Sequence, residues 1–203
     1  MSNLFEPELN LEWIEEDCWI RLSNGAAYAK DFFHLPVMGS VSDNIPSTRI
    51  VVLRNVDSTN RAITFHTDIR SDKVTALQLN PNISFLFYHP DDRIQVRLNG
   101  LAVIEYASAL ADEAWLKSNT SSRKCYLAEK GSGELTNVPE DSLPVAFSGI
   151  NPSTEESERG RKNFCVVKST ILQMEWVWLN YKGHRRARFQ YTTDGLVATW
   201  LIP

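Results

Sequence analysis

What most constrains this chain is a succession of β-patterned segments, most of them joined by turns too short for a crossover. Residues 49–56 (RIVVLRNV), 61–67 (RAITFHT), 83–89 (ISFLFYH), 94–105 (IQVRLNGLAVIE), 163–172 (NFCVVKSTIL), 174–181 (MEWVWLNY), 186–192 and 196–202 read as strands. Asp57-Ser58-Thr59-Asn60 and Pro90-Asp91-Asp92-Arg93 are hairpin-length links. Links of this length allow only antiparallel pairing, since parallel strands need a crossover of a dozen residues or more. The expected fold is therefore mainly β, an antiparallel barrel with a few peripheral helices. Gly100 interrupts the long strand 94–105, which predicts a bulge or a close backbone approach.

Three helices fit between the strands. Residues 9–22 place Leu11, Ile14, Cys18 and Leu22 on one face, with a stop expected before Asn24-Gly25. Ala26 to Met38 is interrupted by Pro36, and its later half reads as strand. A short helix with Val74, Leu77 and Leu79 inward is stopped by Asn80-Pro81. Residues 107–118 form a third, with Leu110, Ala114 and Trp115 inward. Residues 119–162 lack a periodic apolar pattern and read as a long irregular connection rather than a second domain. The 203 residues then make one domain.

Charge and cysteines exclude several classes. A formal charge of −4 argues against nucleic acid as the main partner. No apolar run reaches bilayer length, so no membrane partner is expected. The opening MSNLFEPELNLEWIEED lacks the basic and apolar regions of an export signal. Cys18, Cys125 and Cys165 are odd in number and widely spaced, with no C-x-x-C or H-E-x-x-H. They read as buried or half-buried thiols in a reducing, cytoplasmic setting, with no metal site.

Two places could carry chemistry. In F-H-T-D-I-R-S-D-K (65–73), a strand ending at Thr67 runs into a helix opened by Ser71 and Lys73. Such a corner collects hydroxyl, amide and ammonium donors for a phosphate, and Arg49 on the adjacent strand could add a bidentate contact. Solvated surface charges would give the same spacing. The second place is M-E-W-V-W-L-N-Y-K-G-H-R-R-A-R-F (174–189), where tryptophans alternate with a basic hairpin. Aromatic faces beside guanidinium groups bind flavins or phosphorylated ligands, but a core-filling hairpin with solvated arginines has the same composition. No Ser-His-Asp set or carboxylate pair suggests hydrolysis.

Several motifs in order make the reading more specific. R-I-V-V-L-R, H-T-D-I-R-S-D-K, N-P-N-I-S-F-L-F-Y, R-I-Q-V-R-L-N-G and the closing W-V-W-L-N-Y-K-G-H-R-R-A-R-F together resemble the pyridoxamine 5′-phosphate oxidase-like family. The likeness is strongest to its oxidase-related branch first recognised in cyanobacteria. The resemblance implies an FMN-binding split β-barrel and a homodimer with FMN at the subunit interface. It assigns Arg49, Lys73, Thr67 and Ser71 to the FMN phosphate, and the backbone of Ile50, Val51, Val52 and Leu53 to the isoalloxazine edge. His66 would offer its backbone where the family often has Tyr, and Asp72 stands where an Arg is usual. Gln95 would reach the ring, while Trp178 and Arg188 would approach it from the second subunit. No catalytic residue is assigned.

The substrate positions depart from the oxidase pattern. Oxidases hold the substrate phosphate with the Lys ending the first strand and with Tyr, Arg and Ser spaced four apart. Those positions read Arg54, Trp115, Asn119 and Arg123 here. The oxidase order Arg, His, Arg beyond its closing Trp becomes His184, Arg186, Arg188. Arg54, Arg123, His184 and Arg186 are thus the substrate-binding candidates, unless the 119–162 connection folds back to supply Lys124 or Ser132. An FMN-dependent oxidoreductase that is a poor pyridoxamine 5′-phosphate oxidase is the leading expectation. A flavin carrier or sensor without turnover is the alternative, and relatives with haem or deazaflavin are a third possibility.

Overall fold

A computed structural model describes residues 6–203, so the first five residues of the acidic opening lie outside it. The first helix, α1 (Leu11–Ala27), is capped by Asn10, whose side chain accepts from the amides of Glu12 and Trp13 at 2.8 and 3.1 Å. It runs on through Asn24-Gly25, where a stop is expected from sequence. Gly25 is there for closeness: a Cβ would lie 2.7 Å from the Phe33 backbone.

The strands are β1 (Val37–Ser42), β2 (Ile45–Ile50), β3 (Leu53–Asp57), β4 (Ala62–Asp68), β5 (Asn82–His89), β6 (Ile94–Glu105), β7 (Phe164–Trp178), β8 (Arg185–Thr192) and β9 (Gly195–Leu201). They pair in the order β2-β1-β5-β6-β7-β4-β3, every ladder antiparallel, with β8 and β9 continuing from β7. The expected strand 49–56 is two strands. Val51 and Val52 carry the chain from β2 at one end of this path to β3 at the other. The two ends of the path are therefore held together covalently, and the sheet must curl into a barrel split at this seam. The β1–β2 hairpin turns at Asp43 and Asn44, both at positive φ (51° and 62°), a conformation tolerated best by such short polar residues.

Segments 163–172 and 174–181, expected as separate strands, form one 15-residue strand, β7. It pairs with β6 along one edge, and with β4 and then β8 along the other. The predicted irregularity at Gly100 is present as a register shift between Asn99 and Gly100. A Cβ on Gly100 would stand 2.1 Å from the Thr170 carbonyl oxygen.

Phe33, Phe65, Phe87, Trp176 and Phe189 fill the barrel interior, closed by Ile14, Cys18 and Leu22 of α1. The second helix, α2 (Asp72–Leu79), buries Val74 and Leu77 but leaves Leu79 exposed. The third, α3 (Ala109–Lys117), buries Ala111 and Trp115 against Tyr126 and Phe164, while Leu110 and Ala114 are only partly covered. Residues 119–162 hold only short helical turns between irregular stretches. Cys18 and Cys165 are buried, but Cys125 is exposed, contrary to the expectation for all three. Among the described residues no helix is long and apolar enough to cross a membrane.

Candidate functional site

The corner between β4 and α2 forms as its donor pattern suggests. Lys73 Nζ donates to Thr67 Oγ1 at 3.0 Å, and Thr67 is buried. Arg49, half-buried on β2, donates to Ser40 Oγ at 2.7 Å and Ser47 Oγ at 2.8 Å. Neither cation has a carboxylate in ion-pair contact among the described residues. Burial lowers the pKa of both; for Lys73 the positive field of Arg49 adds to it, partly countered by nearby Asp68 and Asp72. A desolvated lysine whose charge is further disfavoured by a neighbouring half-buried guanidinium makes a place where an anion is stabilising. Ser71 is buried at the helix N-cap with its hydroxyl donated to the Asp68 carbonyl at 2.7 Å, so that hydrogen is already used. Asp72 opens the first turn of α2.

A cavity of about 470 Å³ lies over this corner. Its far wall comes from the long connection, which folds back to add Lys130, Ser132 and Gly133 together with the carboxylates Glu134, Glu140 and Asp141. Arg70 ties that wall down: it is paired with Asp68 at 2.6 Å and donates to the carbonyls of Ala128 and Glu129, both at 3.1 Å. Ser132, expected as a substitute at the substrate site, lines this cavity instead, and Lys124 does not line it.

A second cleft, of about 460 Å³, opens between β3, β4 and α3. Arg54, His66, Glu113, Lys117 and Asn119 line it, over an apolar floor that includes Leu110, Ala114 and Val166. His66 borders both spaces. Its ring packs edge-on against Phe164 at 4.9 Å, and burial, then the charge of Arg54, pulls its pKa down to about 4. It is neutral at physiological pH.

Arg123, expected as a substrate ligand, is withdrawn from this cleft. It is 3 % exposed. Its guanidinium stacks 4.6 Å from the Trp115 ring centroid, donates to the Trp115 carbonyl at 2.7 Å and pairs with Glu158 at 2.8 Å. Trp115 Nε1 also donates to Glu158. An arginine whose donors are taken by carbonyls and a carboxylate of its own chain is a structural clasp.

Gln95, Trp178, His184, Arg186 and Arg188 line neither space. They belong to β6, β7, β8 and the β7–β8 turn. Here sequence reasoning missed Glu175. It is nearly buried, stands opposite Arg97 on β6 and Arg188 on β8, and accepts from Arg97 and, at 2.7 Å, from Arg186. The flanking arginines hold its carboxyl below the usual range despite burial. Only strand register reveals this cluster, because its members are far apart in sequence. Arg188 Nε is buried with no hydrogen-bond partner.

Comparison with known proteins explains why these features occur together. Residues 20–105 match the family model described as pyridoxamine 5′-phosphate oxidase, FMN-binding domain. A dihydrophenazinedicarboxylate synthase of Pseudomonas chlororaphis is 37% identical over 156 residues, 76% of this chain and 67% of that protein. A pyridoxine/pyridoxamine 5′-phosphate oxidase of Pelagibacter ubique is 32% identical over 168 residues, 79% of this chain and 75% of that one. The chain belongs to the pyridoxamine 5′-phosphate oxidase-like FMN-binding family.

The family's barrel is also seen in a solved structure. PhzG from Burkholderia lata, in complex with tetrahydrophenazine-1-carboxylic acid, superimposes with a TM-score of 0.73 at 17% identity, covering 99% of this chain and 98% of that one. FMN is the cofactor of this family's domain. The residues present fit it: Lys73 and the half-buried Arg49 stand at the corner with no carboxylate in direct ion-pair contact, although Asp68, Glu134, Glu140 and Asp141 also line the cavity, and Arg188 keeps a buried donor free.

Proposed function

We propose that this protein is an FMN-dependent oxidoreductase acting as a homodimer, with a substrate site unlike that of the pyridoxamine 5′-phosphate oxidases. The observation that carries the reading is the pair of adjoining spaces sharing His66. One is lined by Lys73 and Thr67, with Arg49 close enough to shift Lys73, and suits a phosphate; the other is a separate cleft with room for a second molecule. A flavin carrier needs only the first.

Bound FMN would supply hydride and electron transfer, which no side chain can. Arg49 and Lys73 would hold the phosphate with Thr67 beside them, and the Ile50–Leu53 crossing would lie along the ring edge. Gln95, Trp178 and Arg188 line neither space of their own chain. A symmetric pair would bring them to the other copy's flavin and give two identical sites. A guanidinium with a spare donor favours negative charge on the ring it faces. Relatives named for different reactions are about equally similar to this chain, so the substrate has to be read from the cleft.

The test uses the purified protein. It should be yellow, release FMN on denaturation and sediment as a dimer. Anaerobic addition of a substrate should bleach the flavin absorbance, and readmitted acceptor should restore it. A colourless monomer that cannot be reconstituted with FMN would overturn the reading, whereas a yellow dimer bleached by dithionite but by no organic substrate would mark a carrier.

A further inference from the structure

We infer that the cleft between β3, β4 and α3 binds a planar ring bearing one carboxylate, and discriminates against phosphate esters. This rests on the reading of that cleft as the substrate site. Arg54 and Lys117 are positive, and Glu113 is negative and paired with Lys117 at 2.6 Å. His66 contributes no charge at physiological pH. The lining therefore carries one net positive charge, which matches a monoanion and falls short of a phosphate dianion.

Within the same chain, two arginines expected to add charge are held by other partners. Arg123 is locked to Trp115 and Glu158, and Asn119 stands where a second guanidinium would be needed. On the β8 strand, Arg186 is paired with Glu175, a carboxylate it shares with Arg97. A second negative charge on the ligand would also meet Glu113 at the same mouth.

What remains is suited to a carboxylate. Arg54 is exposed at the cleft and has no ion-pair partner among the described residues. A guanidinium and a carboxylate match as two parallel hydrogen bonds. Asn119 and Ser122 add neutral donors, and the floor of Leu110, Ala114 and Val166 is apolar, as a ring face requires.

Three matched probes isolate the charge: 2-naphthoate (monoanion), 2-naphthamide (neutral) and 2-naphthyl phosphate (dianion). Calorimetric titration of the FMN-loaded protein should show 2-naphthoate binding at least about tenfold tighter than either of the others. Arg54→Gln should erase that preference without affecting folding, since Arg54 is exposed. Asn119→Arg should move the preference toward the phosphate ester. Equal or tighter binding of the phosphate ester, no binding of 2-naphthoate, or a preference that survives Arg54→Gln would overturn the proposal. If the protein holds no FMN, the flavin reading fails separately, and the same titration on the protein as purified still decides the cleft.

Discussion

The guanidinium of Arg123 stacks on the indole of Trp115 and donates to the carbonyl of that same residue, while Glu158 accepts from both side chains. The clasp joins α3 to the end of the long connection, so one contact decides both the stability of that region and the absence of Arg123 from the cleft. Arg123→Leu should cost about 2–4 kcal/mol of stability; Glu158 is half-exposed and can rehydrate, which keeps the loss below that of a fully buried pair. FMN affinity should be unchanged. Denaturant unfolding and a flavin titration check the two halves, and a variant as stable as the parent would show that the clasp is idle.

Arg49 and Lys73 test the phosphate corner. Replacing either with Ala should weaken FMN binding by about 2–5 kcal/mol, as for other desolvated charge pairs that lose one member. The folded apoprotein should be little destabilised, because neither cation has a carboxylate partner to abandon. Fluorescence titration of FMN against both variants measures this. Unchanged affinity would return both residues to the status of solvated strand-end charges.

His66 predicts an acid-side loss of stability. Its pKa is pulled from 6.5 to about 4 in the folded chain, so the unfolded chain binds the proton first as pH falls. The stabilisation is complete above about pH 6.5, declines between about 6.5 and 4, and is level below that. The shift corresponds to up to about 3 kcal/mol. His66→Tyr has no such group, so the difference in stability between parent and variant should change across that interval. A difference that stays constant from pH 7 to 4 would show that the imidazole is not held neutral.

Gly100 tests the bulge. With a Cβ placed 2.1 Å from the Thr170 carbonyl oxygen, Gly100→Ala must push β6 from β7 where their register shifts. Overpacking against backbone costs about 1–3 kcal/mol or more. Thermal unfolding gives the size, and an unchanged midpoint would mean that the strands separate there without strain.

Much of the fold was legible because strand alternation, turn residues and the Gly100 interruption are local signals. β6 keeps the ends its pattern predicts, and the Thr67–Lys73 corner needs only a strand followed by a helix N-terminus. Local signals misled at three points. Gly25 usually ends a helix but here makes room for Phe33. RIVVLRNV reads as one strand although Val51-Val52 crosses the barrel seam, since apolar character persists through a buried crossing. The pause at Gln173 lies inside a strand held by partners on both edges.

By itself, then, the sequence indicated most of the strands, their antiparallel pairing, the family and the residue types gathered at the β4–α2 corner, but not the β1–β2 hairpin. These follow from periodicity, short links and motifs that are each contiguous in the chain. Only the tertiary structure decided which charges are free. Arg54, Arg123 and Arg186 look alike as letters, yet Arg54 stands open at a cleft, Arg123 is sealed against Trp115 and Glu158, and Arg186 shares the carboxylate of Glu175 with Arg97. An ion pair forms wherever folding brings opposite charges within a few ångströms, and that distance bears no relation to separation along the chain.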